Sequence, residues 1–136
     1  MKRLMVSLLV ESPSLSLDEL STALGRKHSS GSHDRGEPHV LEKKGHPPWS
    51  KTVWRFDSGL SEEASVVEHL ERLNSQLPGR ELLRLLPTGC TVWIDIAVFF
   101  DTPMGSVSIP TRGMEVIGAY KAALEITSYP SWKKEP

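Results

Sequence analysis

Cys90-Thr91-Val92-Trp93-Ile94-Asp95-Ile96-Ala97-Val98-Phe99-Phe100 is the stretch that decides the fold. Successive side chains of a strand point to opposite faces. Cys90, Val92, Ile94, Ile96, Val98 and Phe100 therefore share one face, and Thr91, Trp93, Asp95, Ala97 and Phe99 share the other. The first row is apolar and belongs in a core. The second carries two aromatics and a carboxylate, and it needs its own cover if helices pack on one side only. The long loop described below, a ligand or a second subunit would each supply one.

Upstream, Thr52-Val53-Trp54-Arg55-Phe56 reads as a strand closed by Asp57-Ser58-Gly59. Residues Lys2 to Glu11 place Leu4, Val6, Leu8 and Val10 on one face and Met5, Ser7 and Leu9 on the other, which predicts a strand covered on both sides. Downstream, Asp101 to Gly105 reads as a hairpin turn into a strand at Ser106-Val107-Ser108-Ile109. Leu124, Ile126 and Ser128 alternate with Glu125, Thr127 and Tyr129 as a last strand.

Helices fill the gaps. Ser16 and Glu19 form a capping box, in which each side chain satisfies the other's free backbone N–H. Leu15 staples onto Leu20, Leu17, Leu20 and Leu24 form the apolar stripe, and Gly25 ends the helix. Ser61 is expected to cap a second helix buried through Val66, Val67, Leu70, Leu73 and Leu77, with a short helical piece at Arg80 to Leu86. A third spans roughly Thr111 to Lys121. The order is β-α-β-α-β-β-α-β: an α+β fold, with a mostly antiparallel sheet of four to five strands and two to three helices packed on one face.

The 136 residues suit one domain, expected over residues 1–129, with a long loop at 26–51 and a tail at 130–136. Net charge is −1, so no global field draws the chain to nucleic acid or an anionic membrane. Cys90 has no partner cysteine, which fits a reducing compartment and a cytoplasmic setting. Met1-Lys2-Arg3 before Leu4 to Val10 mimics a signal peptide. Glu11-Ser12-Pro13 follows at once without a cleavage pattern, so the segment reads as a strand. No stretch is long enough to span a bilayer.

Familiar chemistry is missing. His28, His33, His39 and His46 fall in the long loop, with Asp34 and Glu37 nearby, but their spacing matches no metal-binding pattern. They read as incidental to a solvated loop, and neither a metal nor a cofactor is expected. Cys90 sits on the core-facing row as a small hydrophobe. No nucleophile elbow, Walker loop or dinucleotide glycine pattern occurs, so no catalytic residue is assigned.

The loop from Arg26 to Lys51 carries six basic residues against Asp34, Glu37 and Glu42. Such an excess can attract phosphate, and Trp49 and Trp54 could stack on rings. Solvated lysines and a Trp54 packed into the core explain the same residues, and nucleic acid is set aside as a partner.

Taken in order, these pieces resemble the bacterial family termed domain of unknown function 4279. The resemblance runs through the opening strand, Ser16-Leu17-Asp18-Glu19-Leu20, Leu24-Gly25 and a basic loop with Gly36-Glu37. It continues through Trp54, Ser58-Gly59, Val67-Glu68-His69-Leu70 and Gly89-Cys90. The chain departs from it in a longer loop around His39 to His46 and a tail past Tyr129 to Trp132. The resemblance implies an α+β fold in the bacterial cytoplasm with no assigned reaction.

The leading expectation is a non-catalytic binding or protein-interaction module, of which an immunity-type inhibitor is one form. Its candidate binding residues are Arg35, Glu37, Trp49, Trp54, Trp93 and Asp95. Its expected partner is another protein, or a second copy docked through the open sheet face. The competing class is a small enzyme or ligand-binding protein with a pocket between the loop and the sheet, formed by Arg35, Glu37, Trp54 and Asp95.

Overall fold

A computed structural model describes residues 2–39, 45–100 and 105–130. The opening segment becomes β1 (Lys2–Ser12), at the interior of a four-stranded sheet. It pairs antiparallel with β2 (Thr52–Asp57) on one side and β3 (Thr91–Phe100) on the other. A fourth strand, β4 (Ala123–Pro130), lies against β3. The strand order is β2-β1-β3-β4.

The pairing of β3 with β4 is parallel, so the sheet is mixed. The other two pairings are antiparallel, so the sheet is mostly antiparallel as expected, but one expectation is corrected. The strand foreseen at Ser106–Ile109 is absent, because both neighbours of β3 are already taken by β1 and β4. Residues 105–110 have no regular structure, and Val107 and Ile109 pack against the core instead. The chain then returns through a helix, as a parallel connection requires. Most of the expected turn at 101–105, the extended piece at 39–41 past His39, and the tail beyond Pro130 lie outside the described residues.

Among the described residues four helices form, rather than two to three. The first, α1 (Leu17–Leu24), has both halves of the Ser16–Glu19 capping box and ends at Gly25 with φ 67°. The second, α2 (Val66–Gln76), starts later than expected, capped by Ser65 in a box with Glu68. The cause is β1: the Glu62 carbonyl accepts a hydrogen bond from the Leu4 N–H at 2.8 Å, which ties residues around Ser61 to the strand edge. The short α3 (Gly79–Leu85) and α4 (Thr111–Ala119) complete the layer.

All four helices share one side. Helix α1 packs on β2, α2 on β1 and α4, and α3 bridges α1 and α4. Leu4, Val6, Leu8 and Val10 of β1 meet Val92, Ile94, Ile96 and Val98 of β3 beneath them, all buried. Tyr120 joins this core, and its hydroxyl donates to the Leu77 carbonyl at 2.6 Å, fastening the end of α4 to the end of α2. Burial pushes that phenol's pKa strongly upward. No described helix is long and apolar enough to cross a membrane.

Candidate functional site

The side of the sheet away from the helices is built by register. Asp57, Ser7 and Asp95 stand in one row across β2, β1 and β3, and Glu125 of β4 extends it. Arg55, two residues before Asp57, reaches into this row. Its Nη1 donates to Ser7 Oγ at 2.8 Å and lies 3.7 Å from Asp57 Oδ1, while its Nη2 donates to Asp95 Oδ2 at 3.4 Å. Ser7 Oγ in turn donates to Asp57 Oδ1 at 2.6 Å. A serine inside an apolar strand is thereby satisfied though only 1% exposed.

Aromatic side chains flank this network on the same face. Trp93 lies two residues before Asp95, and Phe99 stacks on Tyr129 at 5.1 Å. The Arg3 guanidinium sits 5.6 Å over the Phe99 ring. Met5 and Tyr129 remain well exposed. Among the described residues, no helix packs on this face.

The described part of the long loop does not lie across it. Residues 29–33 run along the outer edge of β2 instead. His33 and Val53 exchange backbone hydrogen bonds at 2.7 and 2.9 Å, and the Ser29 N–H donates to the Arg55 carbonyl. Ser32 Oγ accepts from the Arg55 N–H, and Ser29 Oγ accepts from the Asp57 N–H. The edge is closed by a serine-rich segment, which satisfies groups that would otherwise invite another strand.

The residues singled out from sequence go to three places. Arg35, Glu37 and Trp49 hold the loop together near the start of β2. Arg35 donates from its side chain to the Pro13 carbonyl and from its backbone to Thr52 Oγ1. Glu37 accepts from the Asp34 N–H, and Asp34 accepts from the Leu17 N–H at the first turn of α1. Trp49 is sandwiched between His33 and His39, at 4.2 and 4.8 Å. Trp54 is fully buried on the helix side, with its indole N–H donating to Ser21 Oγ. Trp93 and Asp95 lie on the opposite face. Arg35, Glu37, Trp54 and Asp95 therefore do not line one pocket, because Trp54 and Asp95 lie on opposite faces of the sheet.

No group of three or more histidine, cysteine or acidic side chains is arranged to hold a metal among the described residues. Cys90 is partly buried, and desolvation pushes its thiol pKa upward, away from the reactive thiolate.

One hydroxyl–imidazole pair escaped the sequence reading. Ser58 Oγ lies 2.6 Å from His69 Nδ1, joining the end of β2 to α2. Both residues are almost wholly buried. Desolvation holds the imidazole pKa below its ordinary 6.5, against a smaller opposing pull from Glu68 and the Ser61 backbone. His69 Nε2 is buried without a well-formed hydrogen bond, so no carboxylate orients the ring as a general base would require. The pair fastens α2 to the sheet.

A family model described as Domain of unknown function (DUF4279) matches residues 2–131. The chain belongs to the DUF4279 family. No curated protein and no solved structure matches it. In this DUF4279 chain, Trp54, Ser58 and His69, which carry much of the resemblance, are buried. Ser16 and Glu19 cap α1. These residues build the fold, and none of them reaches the outer sheet face.

Proposed function

We infer that the protein is a non-catalytic interaction module that receives a protein partner on the outer face of its sheet. The observation that carries this reading is the one-sided layering. Helices cover the apolar row of β1 and β3, whereas Met5, Trp93, Phe99 and Tyr129 stand around the Arg55 network on a face with no helix above it among the described residues. Polar groups at its centre are already paired with one another, which favours a preorganised contact surface over a site aimed at a reacting molecule. Aromatic and arginine side chains are also the groups that dominate protein–protein contacts.

Site-specific photo-cross-linking tests this. A cross-linking residue at Thr127, on the outer face, should capture a defined protein in the native cell. The same residue at Ser75, exposed on α2, should not. Equal capture from both positions, or capture from neither, would count against the reading.

A further inference from the structure

The β3–β4 half of the outer face has a layout of its own. Parallel register pairs Trp93 with Ala123, Asp95 with Glu125, Ala97 with Thr127, and Phe99 with Tyr129. Aromatic rings therefore stand at both ends, six residues apart along β3, or roughly 20 Å at the strand rise. Between them the side chains are short, apart from two carboxylates set side by side. The result is a shallow trough with aromatic ends and an acidic middle.

Charge on the whole face is lopsided in the same sense. Its two arginines are committed within the chain, Arg3 to Glu62 and Arg55 to Asp57 and Asp95. Glu125 is exposed and makes no ion pair among the described residues. Asp95 therefore shares one guanidinium with Asp57 while standing beside a second, unneutralised carboxylate. The face already shows how a cation sits on its aromatics, in Arg3 over Phe99. Over the Trp93 ring, next to the small Ala123, no cation stands among the described residues, though Lys121 lines the same hollow beside it.

The geometry points to a partner segment carrying arginine or lysine, docked along β3 and β4. One cationic side chain would lie between Asp95 and Glu125, with its stem against Trp93. This rests on the outer face being the interaction surface, and it specifies the chemistry of what that surface takes. The carboxylates supply attraction and steering, and the indole supplies a cation–π contact. A second copy fits less well, because face-to-face pairing would bring the acidic rows of both copies together. Nucleic acid and anionic lipid are repelled by the same charges.

Calorimetric titration of the purified chain with a synthetic arginine–glycine peptide, and with a glutamate–glycine peptide of equal length, tests the inference. The arginine peptide should bind, more weakly as salt rises, and the glutamate peptide should not. Glu125→Gln and Trp93→Leu should each weaken binding about fivefold or more, as expected for losing one charge or cation–π contact. Glu125 is exposed and unpaired, so its variant should keep the wild-type melting temperature even if Trp93→Leu does not. No binding of the arginine peptide at low salt, or binding unchanged by Glu125→Gln, would overturn the inference. Concentration-dependent self-association cross-linked through Thr127 would overturn it in favour of a second copy. Capture of a non-cationic partner through Thr127 would overturn it while leaving the interaction module standing.

Discussion

Arg55 on β2 and Asp95 on β3 form an ion pair at 3.4 Å across the full width of β1, with Ser7 of that strand hydrogen-bonded beneath the guanidinium. One side chain thus ties three strands together on the face that lacks helices. The pair is sheltered, with the two side chains 25% and 16% exposed. Gly31 of the loop packs close to the Arg55 stem, where a Cβ would come within 3.2 Å of its Cδ.

Replacing Arg55 with Met should therefore do more than remove a surface ion pair. Asp57, Asp95 and Ser7 would keep their partly buried oxygens without the donor, at a cost of about 1–3 kcal/mol. Asp95→Asn should cost less, since Arg55 keeps Asp57 and Ser7. Urea denaturation of both single variants and the double variant would measure this, with a coupling of about 0.5 kcal/mol or more expected from the cycle.

The His69 imidazole should make stability pH-dependent in a defined direction. Burial holds its folded pKa below 6.5, so the unfolded chain takes up a proton first as pH falls. The contribution is complete above the unfolded value and is lost as pH falls through the folded one. Unfolding free energy should fall as the pH drops through and below the ordinary 6.5, and His69→Asn should lose part of that fall. Parallel pH curves for the two proteins would contradict the buried, neutral imidazole. Glu68, whose pKa is lowered chiefly by hydrogen bonds from Ser65, adds its own loss only below its ordinary 4.5.

Two glycines should respond oppositely to alanine. A Cβ at Gly79 would lie 2.7 Å from the Ala119 carbonyl and 2.9 Å from the Tyr120 nitrogen, where backbone cannot easily yield. Gly79→Ala should destabilise by about 1–3 kcal/mol through overpacking between α3 and α4. Gly118, exposed in α4 with nothing within 4 Å of such a Cβ, should tolerate alanine or gain up to about 1 kcal/mol in helix propensity. Thermal melts of both variants suffice.

Hydrogen exchange should report how residues 29–33 close the edge of β2. The amides of Val53, Arg55 and Asp57 donate to His33, Ser32 and Ser29 and should be protected. Ser29→Ala should speed exchange at Asp57 while leaving Val53 nearly unchanged, because Val53 depends on the His33 backbone.

Local chemistry made part of this fold legible in the sequence. The capping box of α1, the Gly25 stop and the two-faced alternation of β3 are short-range patterns, and each is found where the residues placed it. Long-range pairing was not legible. Nothing near Ser106–Ile109 reveals that β3 is already flanked by β1 and β4, and nothing near Ser61 reveals that Glu62 is held by Leu4. The outer-face network was half visible for the same reason. Asp95 and Trp93 stood out on their own strand, but Ser7, Arg55 and Asp57 join them only through register. The Ser58–His69 pair spans 11 residues and a loop, so no spacing motif marks it. Trp54 was ambiguous between ligand stacking and core, and its period-2 partners Thr52 and Phe56 did not resolve which face it takes.

The measurement closest to the central claim is oxidative footprinting of the protein in its native cell and after purification. Met5 and Tyr129 on the outer face are 39% and 47% exposed, and Met114 on α4 is 51% exposed. If the outer face receives a partner, Met5 and Tyr129 should label readily in the purified protein and be protected in the cell, with Met114 labelled in both. Equal labelling of Met5 and Tyr129 in the two settings would contradict it.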